Sequence, residues 1–396
     1  MATILTVSPD FVTTGNVGAA DPGLLSLADF VYTGGFLLSS STFGSSSMNA
    51  TKGAFAYYAA NNSIIVSGHD QNQAIAEFPV PAILDVPTMA ELNISSPPTQ
   101  NFRNMLNIQV NPDGIDRING MIVIDGQLIL NAEKWYAAGG GSGDTTLVLR
   151  DANNIGGEVD GYYKLTGGAH SGGYLSSIPA EWQSSFGGSE YMTGWSSVNS
   201  IFSRYSIGPS LWAFDHATLL ANSQQSGAIT ATAYMDFPYA GTNYLDPGGL
   251  RIGTDPASAM WNYRSTAVYG FIVPGTRTFA CFGGSAGILD GIGYKITQDT
   301  GNLCSGYCPY TASDVYSYYW LFDVQEILDA TEVHSPRPYE YGAIDIPFDG
   351  SGAYPPIGGS YDPASGVLYL MLAARKAEPP YSRYDRMPVF VTYQVN

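Results

Sequence analysis

Two carboxylates are the first residues in this chain that invite chemistry. Asp215 and Asp323 each follow an aromatic residue, in Phe214-Asp-His-Ala-Thr-Leu-Leu220 and Phe322-Asp-Val-Gln-Glu-Ile-Leu328. A pair of acids flanking a glycosidic bond is what sugar hydrolysis requires. The same placement also suits a structural role, because an Asp that ends a strand and opens a helical turn caps free backbone N–H groups. Glu326 lies three residues beyond Asp323, the spacing of a capping box. Both acids are therefore expected to be structural, and no catalytic residue is assigned.

The histidines His69, His170, His216 and His334 lie far apart. None forms the close pair that a metal site needs, so no metal ligand is expected among them. The first three would meet only if the chain closed into a ring around a channel. No G-x-S-x-G nucleophile elbow is expected among the many serines. Gly139-Gly-Gly-Ser-Gly143 lacks the Lys and Ser/Thr of a phosphate loop and reads as a turn. Asn111-Pro-Asp113-Gly-Ile-Asp116 offers oxygen ligands without EF-hand spacing, so it reads as a turn with a structural calcium as the rival; no other cofactor is expected. Cys304 and Cys308 could close a small disulfide, leaving Cys281 free, or Cys281 could pair with either of them.

A longer stretch suggests binding. Residues 221–262 carry Tyr239, Tyr244 and Trp261 among Gly and Pro, with Arg264 just beyond. Aromatics with a polar tip suit surfaces that are apolar and wet at once, as at protein interfaces and sugar platforms. These four residues are the binding candidates, either for subunits of a larger assembly or for a surface glycan. The rival is that the rings cover the insertion's own small core.

The elements that would position these residues are strands. Gly 46, Tyr 28 and Pro 24, with only 13 % charged residues, describe many short strands and turn-rich connections. Residues 339–396 read as four strands in succession: Tyr341–Ile346, Gly358–Tyr361, Val367–Ala373 and Val389–Val395. That is the content of one propeller blade. A recurring tail marks further copies: Phe78-Pro-Val-Pro-Ala-Ile-Leu84, the two Asp segments above, and a degraded Arg150-Asp-Ala-Asn-Asn-Ile155.

With Phe78, Arg150, Phe214, Phe322 and Tyr393 as markers, the intervals are 72, 64, 108 and 71 residues. This spacing implies an all-β, single-domain propeller of five four-stranded blades. The long interval holds either an insertion or a sixth blade. Hairpins are expected around Asn61-Asn62, Asp125-Gly126 and Pro274-Gly275. Residues 1–28 form an N-terminal arm in which Ile4–Val7 could add a strand to the last blade. In this texture the chain resembles the secreted and surface β-propeller proteins of bacteria and their viruses.

Net charge is −18, from Lys+Arg 16 against Asp+Glu 34. Such a surface repels phosphate backbones and anionic lipid, so neither nucleic acid nor membrane insertion is expected. The N-terminal residues have no basic region and no apolar run, which is not a secretory signal. The expectation is a non-enzymatic binding or structural propeller at an extracellular or virion surface, reached without a classical signal peptide. The alternative is a polysaccharide-acting hydrolase or lyase with its site at the propeller mouth.

Overall fold

The computed structural model describes residues 23–373, 375–376 and 386–396, apart from 52, 142, 197–200 and 222–227. Five antiparallel blades follow one another. The first holds Phe55–Tyr58, Ser63–Ser67, Ile75–Pro79 and Gln100–Arg103, and the second Arg117–Ile124, Gln127–Glu133, Thr146–Leu149 and Val159–Leu165. The third holds Tyr174–Ser177, Tyr191–Gly194, Leu211–Phe214 and Ala231–Met235, and the fourth Thr266–Ile272, Thr278–Ala286, Val315–Asp323 and Glu340–Ala343. The fifth combines Pro356–Asp362, Val367–Leu372 and Val389–Val395 with Phe30–Leu38 from the other end of the chain. The chain is a single-domain β-propeller.

The innermost strand of each blade touches the next, around to the first again. The apolar core fills the gaps between blades. The tight hairpins form for local reasons. Asp125 and Gly126 both have positive φ, at 50° and 75°, as a two-residue turn matched to strand twist requires. They join Ile124 directly to Gln127.

Each marker lies in or just after a third strand, so the five blades carry the repeat. The interval of 108 contains two insertions, 236–265 and 287–314, rather than a sixth blade. Residues 228–229 and 231–235 belong to strands, so the insertion expected at 221–262 is shorter and runs from 236 to 265. The recurring tail is the connection from third to fourth strand. In blades three and four it forms the helices His216–Ala221 and Val324–Asp329.

The four strands expected in 339–396 are not one blade. Glu340–Ala343 closes blade four, with Tyr341 opposite Trp320. The vacancy in blade five is filled by Phe30–Leu38, antiparallel to Val389–Val395 from Phe30↔Val395 to Leu37↔Val389. Four apolar runs look alike whichever edge they occupy; here the edge left open after Glu340–Ala343 leaves blade five to be completed from the N-terminal side. Ile4–Val7 lies outside the described residues.

The closing strand is threaded through a narrow gap. Gly34 has φ +133°, and a Cβ there would fall 2.7 Å from the Leu84 carbonyl carbon. Gly35 and Leu84 exchange backbone hydrogen bonds of 2.9 and 3.2 Å. The connection after Pro79 is thus laid across blade five, where Ile94–Ser95 adds a short parallel strand beside Leu37 and Leu38. No helix among the described residues is long and apolar enough to cross a membrane.

Candidate functional site

Antiparallel blades send their connections to two faces. First-to-second and third-to-fourth connections emerge on one face. Second-to-third connections and blade-to-blade links emerge on the other, which carries the two longest insertions of the described chain: 236–265, the link from blade three into blade four, and 287–314, the second-to-third connection of blade four.

These two insertions build an aromatic platform. Within 287–314, Ile292–Tyr294 pairs with Tyr307–Pro309, placing Tyr294 opposite Tyr307. Tyr307 lies inside the ring closed by the Cys304–Cys308 disulfide, and Cys281 is free and buried in blade four. Tyr263, from the other insertion, stacks on Tyr307 with centroids 4.2 Å apart and planes at 13°. Tyr294 tilts against Tyr307 at 5.0 Å. Lys295 holds its ammonium 5.1 Å from the Tyr294 centroid. Burial, then the neighbouring Tyr307, pushes the Tyr263 phenol up to about 12, so that ring is a neutral hydrogen-bonding group at ordinary pH.

The insertions are fixed to each other and to the blade. Gly253 donates to the Ile292 carbonyl at 2.9 Å. Gly291 must be glycine, since it has φ +78° and a Cβ would meet the Gly253 carbonyl oxygen at 2.1 Å. Asn262, fully buried, donates to the carbonyls of Ser258 at 2.8 Å and Ala286 at 3.1 Å.

The four residues expected to bind are divided by this arrangement. Trp261 is 3 % exposed and packs on Trp320 at 5.0 Å. Tyr244 is 9 % exposed and joins the same core. Both are held by their own subunit, which withdraws them as interface anchors. A Trp beside Gly and Pro reads the same whether it faces solvent or the blade beneath. Tyr239, 45 % exposed, stays on the surface 5.6 Å from Tyr244. Arg264 is also exposed. Tyr263, Tyr294 and Tyr307 were missed in sequence, although Tyr307 within Cys304-Ser-Gly-Tyr-Cys308 was a usable signal.

The acids fall elsewhere. Asp215 accepts the Thr218 amide at 2.9 Å and its hydroxyl at 2.6 Å, as a cap does. Asp323 caps through the Gln325 amide at 2.9 Å. Its carboxylate also pairs with the Arg277 guanidinium. His216 begins a helix on the short-turn side against Tyr191, whereas His170 meets Asp236 at 2.7 Å and His69 bonds the Gln71 amide. Closure does not gather them, and no metal-holding group of three His, Cys, Asp or Glu occurs among the described residues. In the 111–116 segment Asp113 accepts the amides of Gly143 and Asp144, and Asp116 that of Trp135. These oxygens order the Gly-rich loop.

Contrary to the expectation that the chain has no G-x-S-x-G segment, elbow spacing does occur, at Gly283-Gly-Ser285-Ala-Gly287. Gly283–Ala286 continues a regular strand, and Ser285 Oγ lies 3.0 Å from Ser265 Oγ. A nucleophile elbow is a strand-to-helix turn that exposes its serine, whereas Ser285 is 4 % exposed.

At the short-turn end of the axis lies a pocket of about 310 Å³, lined by Tyr57, Asp125, Tyr191, Tyr269, Tyr361 and Asp362 among others. It holds the two carboxylates that a hydrolase mouth would need. Asp362 turns its oxygens into its own turn, to the Ala364 amide and the Ser365 hydroxyl, and Asp125 is the left-handed turn residue above.

No protein-family model matches the chain, and no curated protein matches it either. Among solved structures it is similar to a luciferin-regenerating enzyme, at 10% identity and TM-score 0.35, covering 85% of this chain and 76% of that one. It is also similar to Chaetomium thermophilum Raptor, at 12% identity and TM-score 0.32, covering 93% of this chain but only 30% of Raptor. Likeness at this level carries no functional argument.

Proposed function

We propose that this propeller is a non-enzymatic binding protein, displayed on an extracellular or virion surface, whose working surface is the long-loop face. One observation carries the reading. Nine large apolar side chains are exposed among the described residues, and eight of them stand on that face: Val110, Trp135, Tyr136, Tyr239, Ile252, Leu289, Tyr294 and Leu303. Single exposed apolar residues are ordinary, but concentration on one face is the mark of an interaction surface. The Cys304–Cys308 disulfide supports an oxidising location.

The test compares the two faces. The intact protein is probed against arrays of glycans and extracellular proteins. Two variants accompany it: Trp135→Ala/Tyr294→Ala on the long-loop face and Glu326→Ala/Asp329→Ala on the other. Ligand capture lost only in the first variant is the expected result. Capture lost only in the second, or none at all, overturns the reading. Hydrolysis of any polysaccharide that stops with Asp125→Asn or Asp362→Asn would transfer the function to the mouth pocket.

A further inference from the structure

We infer that the tyrosine platform of blade four binds a neutral carbohydrate, stacking sugar rings on Tyr239 and Tyr294. This rests on the long-loop face being the working surface, and narrows it to one ligand class at one place.

The chemistry of the rings is the first reason. The C–H face of a pyranose carries small positive partial charges, and the face of an aromatic ring is negative, so the two attract once water is displaced. Phenol O–H groups at the rim then meet the sugar hydroxyls. Tyr294 is 51 % and Tyr239 45 % exposed, enough to receive a ring while Tyr294 stays packed on Tyr307 and Tyr239 on Tyr244. Lys295 adds donors beside Tyr294 without an acceptor requirement.

Size is the second reason. At 150–250 Å² for a whole aromatic side chain, the two half-exposed rings offer roughly 200 Å². A stable protein interface needs about 800 Å² from each partner. The platform fits one or two sugar units, not a folded partner.

Rigidity is the third. Tyr294 and Tyr307 are ordered by a two-stranded ladder, a disulfide around Tyr307 and the Gly253–Ile292 bond, and Tyr239 by its contact with the buried Tyr244. A weak ligand loses less affinity to ordering when its site is already built. Charge is the fourth: the net charge of −18 opposes long-range capture of polyanions, which selects neutral over acidic glycans.

The experiment titrates the intact protein with six-unit cello-, manno- and xylo-oligosaccharides, and with oligogalacturonate as the acidic arm, following tyrosine ring signals by NMR. Binding of at least one neutral oligosaccharide is expected, changed less than twofold between 50 and 500 mM salt and weakened at least tenfold by Tyr294→Ala. The double variant Cys304→Ser/Cys308→Ser, which loosens the platform and leaves the blades intact, should weaken it several-fold. Binding confined to oligogalacturonate, or neutral binding untouched by Tyr294→Ala and Tyr239→Ala, overturns the inference. If the protein captures another ligand through the long-loop face but no oligosaccharide, the inference fails and the face assignment stands. If no ligand depends on that face, both fail.

Discussion

The indole Nε1 of Trp195, just after the second strand of blade three, donates to the buried carboxyl Oε2 of Glu133 at 3.0 Å, across the seam from blade two. Burial is the dominant influence on that carboxyl and pushes it up to about 7, against the opposing pull of the Trp195 bond and the Arg117 charge.

The seam should make stability depend on pH. A carboxyl raised in the native state binds its proton more tightly there than in the unfolded chain. Its contribution is greatest below the ordinary value near 4.5, falls as pH rises to about 7, and is lost above that. The span is worth about 3 kcal/mol at most. Glu133→Gln should keep the neutral shape, matching wild type at pH 4.5 and melting several degrees higher at pH 8. Parallel melting curves for the two proteins across pH 4.5–8 would contradict it.

Ring closure should be concentrated at Phe390. It stacks on Phe36 of the N-terminal closing strand at 4.9 Å and meets Phe55 of blade one edge-on at 4.9 Å. Phe390→Ala removes the ring common to both contacts and should cost about 3–5 kcal/mol. Urea unfolding would read this as a lower midpoint with an unchanged slope. A loss under 1 kcal/mol would mean that closure is held elsewhere.

The two Asp caps should differ. Asp215 stands near the surface and holds the Thr218 amide and hydroxyl without a cationic partner as close as Arg277 is to Asp323, so Asp215→Ala should cost about 1 kcal/mol. Asp323 is 5 % exposed and also carries Arg277. Removing it takes away both the helix cap and a carboxylate partner of a partly covered guanidinium, and Asp323→Ala should cost about 3 kcal/mol. Equal losses in chemical denaturation would show that the ion pair adds nothing.

Reduction of Cys304–Cys308 should act locally. The ring encloses few residues and belongs to a two-stranded hairpin outside the blade ladders. Cys304→Ser/Cys308→Ser should leave the global melting temperature within a few degrees while hydrogen exchange quickens in 288–312. Global unfolding on reduction would instead make the disulfide a support of blade four.

Much of the architecture was written in local chemistry. Asp125-Gly126 sets its hairpin because only such residues take positive φ cheaply at both positions. The aromatic-Asp tails recur because each third strand must end and turn, and Asp215 and Asp323 satisfy the freed amides. Turns and caps follow from interactions within a few residues, and the markers repeat with them, so the sequence alone determines these; that the long interval holds no sixth blade was decided by the pairing of its strands.

Partnership across the chain is a different matter. That Phe30–Leu38 completes the blade of Val389–Val395 depends on which edge stays open after every other strand has paired. Trp261 and Tyr239 stand in the same insertion with similar neighbours in sequence. One is buried on Trp320 and the other exposed, because the blade beneath reaches only the first. The stack of Tyr263 on Tyr307 joins residues 44 positions apart, and the near-neutral carboxyl of Glu133 needs a seam closed by Trp195. Burial and long-range contact are sums over the packed molecule, so only the tertiary structure decides them.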